Sequence, residues 1–584
     1  MWHSKTLRSV KNFQYILSLI SIAAVIYGCS GMHAENRVEN AAFEYRDIYL
    51  PVFDKHEFKD LSLNNLDDDW GIWGHNLGNV LPAKPSITVF ATIDGNQEEE
   101  QFCFSSKKLY QYICNYIDDN YGSNDSMRFA IVPNDNELAC LCEECLALGN
   151  SEGNATPAVY DMVTKLATKY PNHTFFTSHY LTTSQVPGKQ LPPNTGVLVS
   201  AMEYPLSAKS TPKEENFKNM LASWQGKTDK VYVWDYINNF DDYFTPFPVF
   251  SVMQQRLRTY RDAGVDGIFL NGSGTDYSTF SRLKKAVLAE MLINPDVDWK
   301  SLLRQRSKEF YPLAGDDIAD FIIAQEDMVT ANGKQLPLYE GVAVARKTYL
   351  PKEKFIEFYN KINDYKKVAT GSEKTELETM AEALSLTVLE LKRLDGKIDN
   401  DEHLVRRLRR LPGKKIEVYN EGCWTIAQYL EDYDFLKRNA YETDGLNLLK
   451  GVKLQPKVAL DEDYSDIRIV TDGLLGIPSN YHSGNLISSA DPSLDISIPK
   501  TEGLNKIRVW MVYHPAFHIG LPAEVQLKAG GQTLARKTPP RPKGHTGHSY
   551  VDFDNVPSGT PVEISLVKNP EVRTMAIDEI EGFK

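Results

Sequence analysis

Nowhere in these 584 residues is there a glycine-rich phosphate loop, a polar low-complexity tract or an excess of basic charge. The first absence removes the main support for a doubly wound nucleotide-binding sheet. The second leaves no stretch whose composition marks a long disordered region. The third bears on partners: a formal net charge of −14 disfavours nucleic acid, which selects basic patches. Long apolar runs are scarce too. One run, Ile16–Tyr27, follows Lys5, Arg8 and Lys11, and it is too short and too early for a structural spanning helix. Basic region, apolar region and then Gly28-Cys29-Ser30 read as a secretory signal over residues 1–28. Ile26-Tyr27-Gly28-Cys29 is similar to a bacterial lipobox, although Tyr27 is bulkier than the usual residue there. Cys29 is thus the expected lipidation site. It would anchor the chain in the cell envelope, at the outer membrane, with its domains in water and the membrane touched only by lipid. Simple secretion with an incidental cysteine is the alternative.

Cysteine is sparse and clustered. Apart from Cys29 there are Cys103, Cys114, Cys140, Cys142, Cys145 and Cys423. Cys140-x-Cys142-x-x-Cys145, with Cys103, has the composition of a tetrahedral zinc site. Disulfides among the same residues suit an exported protein equally well. Either one pins a loop, so a structural role is expected; no catalytic metal and no cofactor is called for.

What the chain does have is a repeated grammar. Short β-branched or aromatic runs end in polar groups and lead into helical stretches. They are Trp70–Asn76, Phe129–Asp135, Thr174–Tyr180, Val197–Glu203, Val231–Asn238 and Gly267–Gly272, and the runs near Ala42–Leu50 and Ser86–Ile93 can supply two more strands. Between them, Leu109, Ile113, Tyr116 and Ile117 share a helical face, as do Val159, Met162, Val163 and Leu166 after a Thr156 cap and Pro157. Phe217, Leu221 and Trp224, and Phe250, Met253, Leu257 and Tyr260, repeat the pattern. Alternation of this kind argues for a parallel sheet covered on both faces. About eight units over roughly 250 residues suit a (β/α)8 TIM barrel, whose active site lies at the carboxyl ends of its strands. A doubly wound sheet is the runner-up.

Read as one rim, the strand ends collect His75, Asn76, Asp135, Asn136, Glu137, His179, Tyr180, Glu203, Trp234, Asp235, Tyr236 and Asn271. Carboxylates, amides and large aromatics at one mouth are the chemistry of a sugar site. Asp135 and Glu137 stand two apart at a strand end, so they can face one pocket and split their pKa values; the bland reading of PNDN is a turn with Asx caps. Asp235 lies between Trp234 and Tyr236, and alternation alone does not decide which of them face the bore.

The chain is long enough for roughly two to four domains. After residues 29–41 as linker and 42–293 as barrel, residues 294–411 read as a helical region with helices around Phe321, around Phe355–Tyr365 and over Glu373–Leu394. The arginines Arg406, Arg407, Arg409 and Arg410 there read as a solvated face rather than a polyanion site. Residues 412–448 read as a linker. From 449 to 584, short alternating strands such as IRVWMVY and VEISLVK suggest a β-sandwich. VTDGLLG and LDISIP there resemble the opening of galactose-binding-like modules, and the loop Tyr513–His518 offers stacking groups.

Several motifs in barrel order carry a closer resemblance. They are WGIWGHNLGNVL, the segment Phe90–Phe104 around Cys103, VPNDNE with its CxCxxC, SHYLTT, SAMEYPL and VWDYINNF. From Arg46 to about Asp327 the chain resembles glycoside hydrolase family 163 of Bacteroidetes, endo-β-N-acetylglucosaminidases acting on complex N-glycans. The resemblance implies retaining hydrolysis of the β1,4 bond in the chitobiose core, assisted by the substrate's own acetamido group. On that basis Glu137 is expected to be the general acid/base, with Glu203 the second carboxylate and Asp135 its rival. Asn136, His75, His179, Tyr180, Trp234, Asp235, Tyr236 and Asn271 are expected sugar contacts. The expected partner is an N-glycan or glycoprotein bound by a monomer. Another exo- or endo-acting glycosidase on the same barrel, or a non-catalytic glycan-binding lipoprotein, are the other readings.

Overall fold

The computed structural model describes residues 38–51, 58–124, 126–209, 211–397, 401–439, 446–461, 464–483, 486–544 and 546–584. The expected signal and Cys29 lie outside them. The chain divides into two compact units. One runs to Ile237 and includes Phe250–Gly274 and Arg282–Arg306; the other comprises Asn238–Val249, Thr275–Ser281 and Ser307–Lys584.

The first unit is built on β1 (Tyr45–Tyr49), β2 (Trp70–Ile72), β3 (Phe90–Ile93), β4 (Asn96–Phe102), β5 (Arg128–Ala130), β6 (Thr174–His179), β7 (Thr195–Ser200), β8 (Lys230–Tyr236) and β9 (Gly267–Asn271). Seven of these form one sheet in the order β1-β9-β8-β7-β6-β5-β2, and every pair is parallel. Helix α1 (Lys107–Asn120) follows β4, α2 (Glu143–Leu148) and α3 (Thr156–Lys169) follow β5, and α4 (Pro212–Trp224), α5 (Phe250–Asp262) and α6 (Ser281–Ile293) follow β7, β8 and β9; β6 leads to β7 through a short 3-10 turn at Leu181–Thr183. The stripes anticipated on α1, α3, α4 and α5 are buried, except that Tyr116 is only partly so. Thr156 is the first residue of α3 rather than its cap, and its N–H is taken by Asn154.

The sheet curls, but it is not the closed eight-stranded barrel that the repeat count suggests. The missing strand is the run ending at Ile93. It pairs antiparallel with β4 instead, through a two-residue turn in which Asp94 (φ 48°) and Gly95 (φ 82°) both adopt left-handed backbone. Asp-Gly is a strong signal for such a hairpin, and a strand committed to it is withdrawn from the parallel ladder. Among the described residues β1 and β2 share no backbone ladder. Side chains close the seam: the Trp70 indole N–H donates to the Tyr45 hydroxyl (2.9 Å), which donates to Asp47 (3.1 Å). The Asn64 amide N–H donates to the Arg46 carbonyl (2.8 Å), and its side chain accepts from the Arg46 N–H (2.9 Å).

Alternation along the strands sorts the remainder. Tyr45, Trp70, Ala130, Val132, Phe176, Leu198, Tyr232 and Phe269 meet in the bore, whereas Phe129, Ile131 and Phe175 join the core under the helices. Tyr45 stacks on Tyr232 (5.1 Å), and Phe176 lies 4.8 Å from both Trp70 and Tyr232. A bore this full of rings needs strands without side chains beside them: a Cβ on Gly196 would stand 2.2 Å from the Phe176 ring.

The second unit holds helices Gly315–Asn332, Gly341–Thr348, Lys352–Val368, Gly371–Leu394, Glu402–Leu408 and Ile426–Asn439. The last lies in the stretch expected to be linker: Tyr429 and Tyr433 bury their rings, and the Tyr429 hydroxyl donates to Glu390 (2.9 Å). Two sheets follow, antiparallel but for a short parallel pair at Ile519–Gly520, and share one apolar core. Arg393, fully buried against Glu390, also donates to the Leu475 carbonyl (3.0 Å), tying the long helix to the segment that leads into the strand at Ile487–Ser489. In the Tyr513–His518 loop, His514 is buried between the rings of Trp424 and Phe517, so this part of the loop is packing. Among the described residues no helix is long and apolar enough to cross a membrane.

Gly196→Ala forces a methyl group into the Phe176 ring. Overpacking of this kind costs about 1–3 kcal/mol, so urea denaturation of the variant is expected to show an earlier transition. An unchanged midpoint contradicts the tight bore.

Candidate functional site

Parallel strands all discharge their loops at one end, and the candidate residues lie there. The mouth of the bore is aromatic. Tyr49, Trp73 and Trp234 are half-buried around Phe269, with ring separations of 5.9 Å from Tyr49 to Trp73 and 4.2 Å from Trp234 to Phe269. Gly74 (φ +52°) brings its backbone against Trp234, where a Cβ would sit 3.5 Å from the ring. Below, Tyr45, Trp70, Trp73, Leu198, Tyr232 and Trp234 close the bore around a cavity of only about 10 Å³. Around the mouth, Tyr180 is half-buried 6.1 Å from the His75 ring, and His75 Nδ1 contacts the Pro133 carbonyl (2.6 Å). Tyr236 is buried with its hydroxyl 3.4 Å from Ser200, and Asn271 is half-buried on the same face as Phe269.

Asp135 and Glu137 do not share a strand end. The β5 ladder stops near Ile131, Pro133 has no N–H with which to extend it, and residues 135–137 form a bend with both carboxylates exposed. The bend is held from β4. Gln101, 1% exposed, donates to the Asn134 carbonyl (3.2 Å) and Asn136 Oδ1 (2.8 Å), and its own oxygen accepts from the Asn134 N–H (3.0 Å). The amides of Asn134 and Asn136 both donate to the Glu100 carbonyl, at 2.8 and 3.0 Å. Asn136, expected to contact sugar, therefore spends its side chain on the loop.

Glu203 is also exposed, in the turn after β7. Its neighbour Tyr204 is buried and fixes that turn. Arg256 on α5 lies 4.1 Å over the Tyr204 ring, donates to the Tyr204 carbonyl and pairs with Asp235. Asp235 is wholly buried, accepts from the Tyr260 hydroxyl (2.6 Å) and faces the helices, opposite in parity to Trp234 and Tyr236. Its expected sugar contact is corrected: burial under α5 makes it a positioning group for the Glu203 turn. His179 is corrected in the same way. It alternates with Ser178 and Tyr180, so it points outward, where Nδ1 accepts from the Trp224 indole (3.2 Å). Burial lowers its pKa to about 4, leaving it neutral.

β5 and β7 flank β6, so the tips from which Glu137 and Glu203 extend are two strand spacings apart, roughly 10 Å. Cys103, Cys140, Cys142 and Cys145 also come together, with all four sulfurs within 4.8 Å of one another. One further acid faces the bore. Asp47 is 5% exposed, on the bore face of β1, and burial raises its pKa to about 7 despite the Tyr45 hydroxyl. Alternation from Tyr45 was the available signal.

Residues 33–322 match a family described as "Domain of unknown function (DUF4838)". No curated protein matches the chain. Among solved structures, a family GH115 4-O-methyl-α-glucuronidase, BtGH115A, with specificity for decorated arabinogalactans is similar at 10% identity, TM-score 0.35, over 86% of this chain and 70% of that one. CpGH84B is similar at 10% identity, TM-score 0.24, over 64% and 74% respectively. The family 32 CBM from C. perfringens NanJ in complex with galactose is similar at 13% identity, TM-score 0.18, over 24% of this chain and 98% of that module.

Two predictions follow from the buried carboxyls. The folded pKa of Asp47, about 7, exceeds its unfolded value, which is roughly 3.9. Between those values the folded chain holds the extra proton, so this group's contribution to stability declines as pH rises from about 4 to about 7. Asp47→Asn is therefore expected to gain melting temperature relative to the parent between pH 5 and pH 8; a pH-independent difference contradicts this. Asp235→Ala leaves Arg256 buried and uncompensated, and an expected loss of about 3–5 kcal/mol is readable by denaturant titration. A change below about 1 kcal/mol contradicts a sealed ion pair.

Proposed function

We propose that the chain is a glycoside hydrolase whose active site lies at the carboxyl end of the parallel sheet. One observation carries the reading: a half-exposed platform of Tyr49, Trp73, Trp234 and Tyr180 occupies the same end as the exposed carboxylates Asp135, Glu137 and Glu203. Aromatic faces accept the apolar faces of pyranose rings, and glycosidic hydrolysis needs carboxyl groups beside the scissile bond. The burials of Asp235 and His179 narrow the expected contacts to the platform with His75, Tyr236 and Asn271.

The finer reading rests on the resemblance to family 163: an endo-acting β-N-acetylglucosaminidase that opens the chitobiose core of N-glycans. In it, the acetamido oxygen of the substrate attacks the anomeric carbon while Glu137 protonates the departing oxygen. Glu137 then takes a proton from water as the water opens the oxazolinium ring. Glu203, or Asp135 in its place, holds the acetamide N–H and offsets its positive charge. A carboxyl separation of about 5–5.5 Å would instead favour Glu203 as a covalent nucleophile. With Cys29 lipidated, such an enzyme meets glycoproteins while tethered at the outer membrane. The C-terminal sheets then serve as a galactose-binding-like appendage.

Mass spectrometry of a biantennary N-glycoprotein after digestion tests this. Expected are a glycan shortened by one GlcNAc and a single GlcNAc left on asparagine. Glu137→Gln, at an exposed position, is expected to lose about 10²–10⁴-fold in turnover with an unchanged melting temperature. An untouched glycoprotein beside hydrolysis of an aryl monosaccharide moves the reading to an exo-glycosidase. Full turnover by Glu137→Gln removes the acid assignment.

A further inference from the structure

Four thiols crowd one another beside the Glu137 bend. Cys103, at the end of β4, stands 3.7 Å from Cys142 and 3.8 Å from Cys145, sulfur to sulfur. Neither neighbour is singled out as its partner. With metal–sulfur bonds of about 2.3 Å, the edge of a tetrahedral thiolate cage is about 3.8 Å, so the spacing is that of a cage. A pair of disulfides instead needs sulfurs grouped two by two at about 2.05 Å.

The surroundings suit thiolates. The Thr92 N–H donates to Cys140 Sγ (3.2 Å) and the Cys145 N–H to Cys142 Sγ (3.5 Å). The Ser105 hydroxyl lies 3.2, 3.4 and 3.1 Å from the sulfurs of Cys103, Cys142 and Cys145. These donors spread the negative charge that four thiolates around a dication retain. Cys103, Cys140 and Cys145 are buried and Cys142 half-buried, so the cluster is largely withdrawn from solvent. Two segments supply the ligands, and the backbone joins them: the Leu141 N–H donates to the Thr92 carbonyl (2.8 Å). All-sulfur tetrahedral coordination selects zinc among the common divalent ions.

We infer that Cys103, Cys140, Cys142 and Cys145 bind one structural zinc ion, which staples the β3–β4 hairpin to the segment that begins three residues after Glu137. Binding replaces four S–H bonds by four Zn–S bonds, releases four protons to solvent and moves no electrons. The staple and the Gln101 clamp hold the same bend from its two sides. The inference concerns the fold of the bend and stands whether or not Glu137 is a catalytic acid.

Elemental analysis of the full chain, purified without chelator, tests it. Expected is one zinc per chain, replaceable by cobalt with the thiolate-to-cobalt charge-transfer and visible bands of a tetrahedral all-sulfur site. Cys142→Ser is expected to lose most of the zinc, and Cys423→Ser, at an exposed cysteine outside the cluster, to keep it. To separate metal loss from misfolding, a second measurement uses the native chain: a chelator is expected to lower its melting temperature and to expose four additional titratable thiols. A metal-free chain with those thiols freely titrating overturns the inference. So does a chain lighter by the mass of four hydrogens, with its cysteines joined in pairs.

Discussion

Rings filling the bore are the constraint on which the first unit rests. Tyr45, Trp70, Phe176 and Tyr232 meet there from four strands, and a sheet that did not curl could not bring Tyr45 at one edge to Trp70 at the other. The curl in turn sends the βα loops out at one end. It also explains how a seven-stranded sheet dispenses with a final ladder: side-chain hydrogen bonds through Tyr45, and the Asn64 backbone, span the gap between the edge strands. The burial of aromatic area supplies the stability, and the hydrogen bonds fix which edge residues meet.

At the mouth, exposed acids hang from rigidly held backbone. The Glu137 bend depends on Gln101, and the Glu203 turn depends on Tyr204, Arg256 and Asp235. In both places a buried polar network serves an exposed carboxylate it does not touch. A reacting group benefits from such support because misplacement by an ångström can cost about a hundredfold in rate. The same division of labour explains why some of the most polar residues in the strand-end motifs, Asn136 and Asp235, are occupied with the protein itself.

Much of this was legible in the sequence, for identifiable reasons. Stripes such as Val159, Met162, Val163 and Leu166 are local periodicities, and a helix must bury them. Strand runs were visible as continuous apolar segments, and their parallel pairing followed from the intervening helices. The repeat breaks at Ile93, where the Asp94-Gly95 turn commits the strand to a hairpin and takes it out of the parallel ladder. His179 leaves the rim because alternation from Phe176, which faces the bore, turns it under the helices. Gln101 was invisible for a deeper reason: its partners lie more than thirty residues onward, and only the folded chain brings a hairpin to the PNDN bend. The raised pKa of Asp47 likewise arises from burial, which no local pattern records.

The proposed function requires one saccharide linkage over the aromatic mouth within reach of Glu137. A crystal structure of the Glu137→Gln chain with a chitobiose-containing glycan tests it most directly. The account requires a sugar ring stacked on Trp73 or Trp234 and the scissile oxygen within hydrogen-bond distance of residue 137. A glycan bound with that oxygen far from residue 137, or bound only on the C-terminal sheets, contradicts it.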